Sequence, residues 1–445
     1  MIESYFWIIY ISTPILITFM LRVANERLFK ISIISFTVLS LYVFSVVGTL
    51  PLFYQWDDTR VNFGVTNPAI VLNVLIFSSI NIQFFLVGVI IEKKISSNGL
   101  LPFDSIFGLS PLSRMQYIVL FIALVISFSM FLDYLSKINE LAILKAILVG
   151  ANEASVTRSE MGNDFSGKYH WYRFFMYSVS QLATYVLFAN WIQKRGVLNF
   201  IVFLLVFIFS AFVAISAIEK APLVWILVGV YLTYAIVAKN GILELRKIVP
   251  LLLILTVVMI LMYQYFMGAE NVVDAFSRFI SRAFAGSIEP AYFYLEYFPA
   301  VEDYLHGATF PNPGGLLPFT PVRYTVDIAN WVIPSLASRG IVGSMPTVFW
   351  GESYANFGPI GVPIIAFFMG YLISKLNSYV LIIKSNVVVV GFYVWMVLDI
   401  RAISEAGFSS YVFNFSLILM LILVALLLSF GKRIPIRKCL RSTSL

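Results

Sequence analysis

Residues 197–239 read VLNFIVFLLVFIFSAFVAISAIEKAPLVWILVGVYLTYAIVAK. Two unbroken apolar runs, about 198–218 and 221–238, are separated only by Glu219 and Lys220, and Pro222 stands where the first turn of a helix accepts proline. Each run is close to the roughly 20 residues that a helix needs to cross a hydrocarbon core. The stretch therefore reads as a tight membrane hairpin. Neither run alternates polar with apolar residues, which excludes the strands of an outer-membrane barrel. The same window finds further spans at about 5–21, 31–53, 68–91, 116–136, 174–192, 248–267, 358–374, 386–400 and 411–430, eleven in all. Composition agrees: of 445 residues 60% are hydrophobic and 12% charged, with mean hydropathy +0.90, where a soluble chain carries about 25% charged residues. That excludes a water-soluble enzyme, a disordered chain and a nucleic-acid module. The only cysteine, Cys439, has no partner for an internal disulfide or a thiol metal site. The first apolar run begins within five residues and many others follow, so no cleavable leader is expected. The fold class is all-α: a polytopic helical membrane protein, one integral membrane domain over residues 1–445.

Charge orients the chain. One set of connections carries Arg22, Arg27, Lys30, Lys93, Lys94, Arg114, Lys194, Arg195, Lys239, Arg246, Lys247, Lys375, Lys384 and a tail with Lys432, Arg433, Arg437, Lys438 and Arg441. The other set holds nearly every acid. By the positive-inside rule the basic set is cytoplasmic. The N-terminus is then outside, the C-terminus inside, and two large loops, 137–173 and 268–357, face out. The first is expected to contain a short helix from Lys137 to Val149 and a polar stretch, NEASVTRSEMGNDFSGKYHWYR over residues 152–173. The second is long enough for a small subdomain.

Basic residues on the acidic side need a reason. They include Arg158, Arg173, Arg278, Arg282, Arg323, Arg339 and Arg401. A guanidinium is always charged and grips phosphate bidentately, whereas lysine offers a point charge. The set reads as an anion-binding pocket for a lipid head group such as a pyrophosphate; singly, each arginine also fits a salt bridge within a folded loop. Asp274, Arg278 and Arg282 recur at i, i+4 and i+8, so Arg278 is the structural partner of Asp274 and Arg282 is freer for ligand. Arg173 follows the aromatic run His170-Trp171-Tyr172, where membrane anchoring competes with binding. Arg401 follows Asp399 at a span end, where an ion pair competes.

Both histidines, His170 and His306, fall in these loops. Neither has a second His or Cys at ligand spacing, so no metal site is expected. His306, among arginines, is a candidate general base. No nucleotide-binding or hydrolase motif is present, and Asp57-Asp58 is an adjacent pair rather than a D-x-D metal signature. No cofactor is expected.

The most distinctive stretch is GSMPTVFWGESYANFGPIG, residues 343–361, which runs straight into the span at 358–374. A Pro-Thr segment followed by G-E-x-Y-x-N-F-G and a glycine-containing helix resembles the O-antigen polymerases, the Wzy-type oligosaccharide repeat-unit polymerases. The layout of many spans with two large arginine-bearing loops is similar too. The resemblance implies a membrane glycosyltransferase of the GT-C kind in the bacterial inner membrane, with periplasmic loops. It would take a growing glycan from undecaprenyl pyrophosphate and pass it to another lipid-linked repeat unit, without metal or nucleotide sugar. Implied partners are those lipid-linked oligosaccharides, the bilayer, a chain-length regulator and a flippase, with no nucleic acid. In that reading Glu352 or His306 takes the acceptor proton, the arginines hold pyrophosphate, and Trp171, Trp331, Trp350 and Tyr354 stack on sugars. Glu352 at a helix head also suits capping, and the tryptophans also suit interfacial anchoring. An O-antigen ligase shares donor and fold and is the nearest alternative. A lipid-linked oligosaccharide flippase is the other, although it would place charge deep within several spans.

Overall fold

The structure, a computed structural model, describes residues 1–96, 109–138, 140–149, 157, 161, 169–216, 220–266, 268–312, 315–316, 318–335, 342–382 and 386–431. In chain order its helices are α1 (Ile2–Val23), α2 (Ile33–Leu41), α3 (Thr49–Phe53), α4 (Asp58–Asn62), α5 (Pro68–Ile95), α6 (Arg114–Lys137), α7 (Ala142–Leu148), α8 (Tyr169–Arg173) and α9 (Ser180–Gln193). They continue with α10 (Val197–Ile215), α11 (Lys220–Lys239), α12 (Leu245–Phe266), α13 (Val272–Ile280), α14 (Gly286–Tyr297), α15 (Tyr324–Val332), α16 (Phe349–Ile382), α17 (Val387–Ile400), α18 (Ser409–Val412) and α19 (Phe415–Ser429). Among the described residues, ten helical segments are long and apolar enough to cross a membrane. The protein is a multi-pass helical membrane protein.

The remaining expected span, 174–192, is helical but irregular. Phe174–Val179 forms a π-turn, and the α-helix proper, Ser180–Gln193, has only 14 residues. The expected helix from Lys137 to Val149 is also divided. Lys137 ends α6, where it bonds Asp133 at 2.7 Å, Ile138 is extended, and the loop helix is only Ala142–Leu148. Helix starts follow local chemistry: Asn67, Asn386 and Asn414 cap α5, α17 and α19 through their side-chain oxygens, with Pro68 opening α5.

Two features set the frame. α17 lies at the centre with nearly every residue buried. α5 packs along α16 with backbone nearly touching backbone: a Cβ at Gly88 would overlap the Phe367 carbonyl, and one at Gly370 the Phe85 carbonyl. Small residues permit this close approach between membrane helices. Lower on the same seam, both Glu92 carboxylate oxygens accept hydroxyls at 2.6 Å, from Ser96 and Ser374.

α16 is not one straight helix. Gly358 sits at φ 66°, ψ −160°, a region open essentially to glycine alone. The chain turns sharply there: a Cβ on Gly361 would lie 2.7 Å from Ser353 O, although residues eight apart in a straight helix are about 12 Å apart. Phe349–Phe357 is thus a separate arm preceding the span, as the expected span start at 358 requires.

The connections gather at two ends. At one, Ile31 N–H bonds Gly241 O at 2.8 Å, Lys93 meets Glu26 at 2.5 Å, and Ser113 Oγ bonds Phe430 O at 2.9 Å. This is the basic end. At the other, the loop 54–67 meets 281–292, and 305–309 and 407–409 meet the 349–357 arm. This is the acidic end, and it carries α13, α14 and α15, of which α14 packs into the main core through Ile288, Ala291, Tyr292 and Tyr294.

Candidate functional site

The 351–358 stretch organises the acidic end. Tyr354 Oη donates to Phe298 O at 3.4 Å. Asn356 Oδ1 accepts the Gly307 N–H at 2.8 Å, its Nδ2 donates to Thr309 Oγ1 at 2.9 Å, and its carbonyl accepts the His306 N–H at 3.0 Å. One asparagine thereby clamps the whole 306–309 turn, where His306 holds φ 48° and Gly307 φ 94°. His306 is exposed at the tip of that turn, directly above the helical arm that carries Glu352.

Glu352 is 1% exposed. Its Oε2 accepts the Ser409 N–H at 3.0 Å, so it caps not its own helix but α18. The hydroxyls of Thr309 and Ser409 lie beside the carboxyl, while Oε1 is buried with no hydrogen bond of its own. A Cβ on Gly407 would overlap both Glu352 Oε2 and Tyr324 Oη, so only glycine lets the two groups share this corner. Burial and the adjacent Glu352 push the Tyr324 phenol well up, so at neutral pH it remains a proton donor. The arrangement is a carboxyl with one fixed and one open oxygen, facing a phenol, under a glycine-containing turn.

A second cluster joins the loop 54–67 to the 281–297 region. Asp57 caps α4 through Oδ1, and its Oδ2 receives the Ser281 hydroxyl. Arg60, 8% exposed, pairs with Glu289, 2% exposed. Burial drives the Glu289 carboxyl up to about 7, against the pull of Arg60 and Arg282.

A third lies at the end of α17. Arg401 is 6% exposed, with its guanidinium carbon 3.4 Å from the centre of the Trp225 ring and Glu405 at 3.4 Å. Its Nε and Nη1 are buried without hydrogen bonds. Asp399 nearby accepts from Asn414 Nδ2 at 2.9 Å.

The sequence candidates are not all brought together. Glu352 and His306 share one corner. Arg278 pairs with Asp274 at 2.8 Å, as its spacing predicts. Arg282 falls on the π-turn Ser281–Ala285 beside the Arg60–Glu289 pair. Arg173 is exposed at the end of α8 and acts electrostatically on Asp399, which places it with Arg401. Arg323 is exposed at the start of α15. Arg158 and Arg339 lie outside the described residues. Trp350 is placed in the core rather than at a surface a sugar could reach: it has no exposed area, and its indole N–H bonds Ser78 Oγ at 3.1 Å. Tyr354 is likewise packed, at 8% exposure between Phe77 and Tyr304. Trp331, 40% exposed, and Trp171, 36% exposed, remain reachable.

Arg60 is the residue that sequence reading missed. Its signal was present: it is a basic residue in the acidic-side loop 54–67, three positions after Asp57. Tyr324 and Gly407 carried no such signal, since their roles exist only through the fold.

No known protein family, curated protein or solved structure matches the chain.

Proposed function

We propose that the chain is a membrane glycosyltransferase of the repeat-unit polymerase kind, acting at its acidic end on glycans carried by undecaprenyl pyrophosphate. The observation that supports this reading is Glu352. Within the G-E-x-Y-x-N-F-G stretch on which the resemblance rests, it is a buried carboxyl whose Oε2 is pinned by the Ser409 N–H and whose Oε1 is open. A buried acceptor without a partner costs about 1–3 kcal/mol, and such groups are tolerated where chemistry uses them.

In the proposed reaction an acceptor sugar hydroxyl attacks the anomeric carbon of the donor glycan. Its proton passes to Glu352 Oε1, the new glycosidic C–O bond forms, and the bond to the lipid pyrophosphate breaks. Negative charge builds on the leaving group, and preorganised arginines stabilise it; Arg323, exposed and next in the chain to Tyr324, is the one that adjoins this corner. Because Glu352 is covered by the 306–309 turn, substrate access requires that turn to shift, and the Asn356 clamp sets how readily it does. The acidic end would then face the periplasm, with the N-terminus outside and the C-terminus in the cytoplasm of a bacterial inner-membrane protein.

The test uses purified protein and a synthetic undecaprenyl-pyrophosphate-linked repeat unit in the presence of EDTA. A ladder of longer lipid-linked glycans from wild type, lost in Glu352→Gln, supports the reading. A ladder that survives in Glu352→Gln and disappears in His306→Gln moves the base to His306. Transfer seen only when lipid A core is supplied makes the protein a ligase, and no transfer in either assay overturns the enzyme reading.

A further inference from the structure

The Arg60–Glu289 cluster is separate from the Glu352 corner and has no part in the reaction just described. Arg60 and Glu289 lie 229 positions apart in the chain, and both are buried. The pair is nonetheless incomplete: Arg60 Nε and Glu289 Oε1 are buried without hydrogen bonds. Asp57, at 3.6 Å from Arg60 Nε, adds an ion-pair contact. Space is reserved for the guanidinium, because a Cβ on Gly286 would stand 2.8 Å from Arg60 Nη2 and 3.3 Å from Arg282 Cδ. Arg282 is exposed and makes no ion pair among the described residues. Two guanidinium-bearing side chains therefore flank one glycine, one held by an internal carboxylate and one uncommitted.

We propose that Arg60 and Arg282 form a binding site for a phosphate group, and that Glu289 is its resident placeholder, displaced when the anion binds. A doubly charged tetrahedral anion has oxygens enough to take bidentate bonds from both guanidinium forks at once, whereas the Glu289 carboxylate is bonded to Arg60 alone. On displacement the anion takes Arg60, and the Glu289 carboxylate, losing its cation, takes a proton from solvent. The charged groups acting on Glu289 are Arg60 from α4 and Arg282 from the π-turn, which favour its ionised form, and Asp57 from the cap of α4, which opposes it. Burial already holds the carboxyl at about 7 with Arg60 in place, so losing Arg60 raises it further and the proton is taken up near neutral pH. Anion binding is thereby coupled to proton uptake. The site stands whether or not the chain transfers sugars.

Sulfate is the probe, since it stays fully ionised across the relevant pH range and leaves any pH dependence to the protein. Binding to the purified full-length protein in detergent is followed by calorimetry and thermal stabilisation from pH 6 to 9. For wild type the affinity should be level below about pH 7 and fall up to tenfold per pH unit above it, as one-proton uptake requires. Glu289→Gln, a neutral isostere, should bind about tenfold more tightly than wild type at pH 8 and show no such slope. Arg282→Ala, at an exposed position that leaves the fold intact, should weaken binding at least tenfold. Sulfate affinity that is flat with pH in wild type and unchanged in Glu289→Gln would overturn the proposal and make the pair a structural staple. Absent sulfate binding, or binding indifferent to Arg282→Ala, would overturn it as well. A second arm compares inorganic pyrophosphate with undecaprenyl phosphate in mixed micelles; tighter binding of the lipid assigns a head group and tighter binding of the free anion a soluble phosphate compound, and either supports the site. No glycan substrate enters the assay, so its failure is distinct from failure of the transferase reading.

Discussion

The two ends of the molecule bury charge in opposite ways. At the basic end the half-buried Glu26 and the buried Glu92 are both answered. Glu26 receives the Ser32 hydroxyl at 2.7 Å and Lys93 at 2.5 Å, and Glu92 receives two hydroxyls. Gln116 uses both ends of its amide, accepting from Ser113 N–H and donating to Leu427 O, each at 3.0 Å. At the acidic end Arg60, Glu289, Glu352 and Arg401 all keep buried atoms without hydrogen bonds. Each such atom costs more than a neutral one left bare, which is already about 1–3 kcal/mol. A fold that answers its charged side chains at one end and leaves four of them with bare buried atoms at the other is, on the two proposals above, structural at the first and reserved for ligand or chemistry at the second. Among the described residues, the other bare buried atoms belong to the neutral side chains of Thr37, Asn81, Tyr185 and Thr347, and no carboxyl or cation on the basic side is among them.

The sharpest trial of that contrast is the same Glu→Gln substitution made at both ends. Glu352→Gln keeps an oxygen to accept the Ser409 N–H but cannot take a proton. Under the transferase reading, turnover should fall about a hundred- to ten-thousand-fold, while the thermal midpoint stays near wild type. Next in size is a pH effect. Glu289 is raised to about 7 from an ordinary 4.5, so its protonated form belongs to the folded state. Its favourable contribution is full below pH 4.5, drains as pH rises to about 7, and is level above. The difference in unfolding free energy between wild type and Glu289→Gln should therefore change by roughly 3 kcal/mol across that window; a difference that is flat from pH 4.5 to 7 would mean the carboxyl is solvated and the acidic end less dry than it looks. At the opposite end, Glu92→Gln keeps one acceptor oxygen and turns the other into an N–H donor, so one of the two serine hydroxyls loses its acceptor or must reverse. It should lower stability by about 2 kcal/mol and leave turnover unaltered. Were Glu92→Gln to abolish transfer while folded, the division between the ends would be wrong.

How much of this was legible in the sequence depends on how far apart the partners are. Apolar runs of about 20 residues report on themselves, so the spans and the sorting of loops into two ends followed from the chain alone. The Asp274–Arg278 pair, four residues apart on one helix face, was legible for the same reason. The π-turn in the 174–192 span was not, because nothing local in Phe174–Val179 demands it. Long-range pairing was hidden: Glu352 offers a carboxylate at a helix head, and only the fold shows that it caps α18 from 57 positions away. Trp350 looked like an exposed aromatic beside a functional stretch, yet its partner Ser78 lies 272 positions away on α5. Arg60 needed only the positive-inside rule applied to the 54–67 loop.

The smallest expected effect tests the structural end at its simplest. Ser113 Oγ accepts the Gln116 N–H at 3.2 Å while Gln116 Oε1 accepts the Ser113 N–H, a reciprocal cap on α6. The same hydroxyl donates to Phe430 O at 2.9 Å, tying the start of α6 to the end of α19. Ser113→Ala removes one cap acceptor and one bridge without leaving a buried charge behind, since the hydroxyl is at the surface edge. The loss should be about 1 kcal/mol, read as a modest drop in thermal midpoint, with transfer rate and sulfate affinity unchanged. Because α6 contributes no residue to the Glu352 corner or to the Arg60 cluster, a change in either functional readout larger than the stability change would show the two ends to be mechanically coupled. The basic end would then be part of the working machinery rather than its frame.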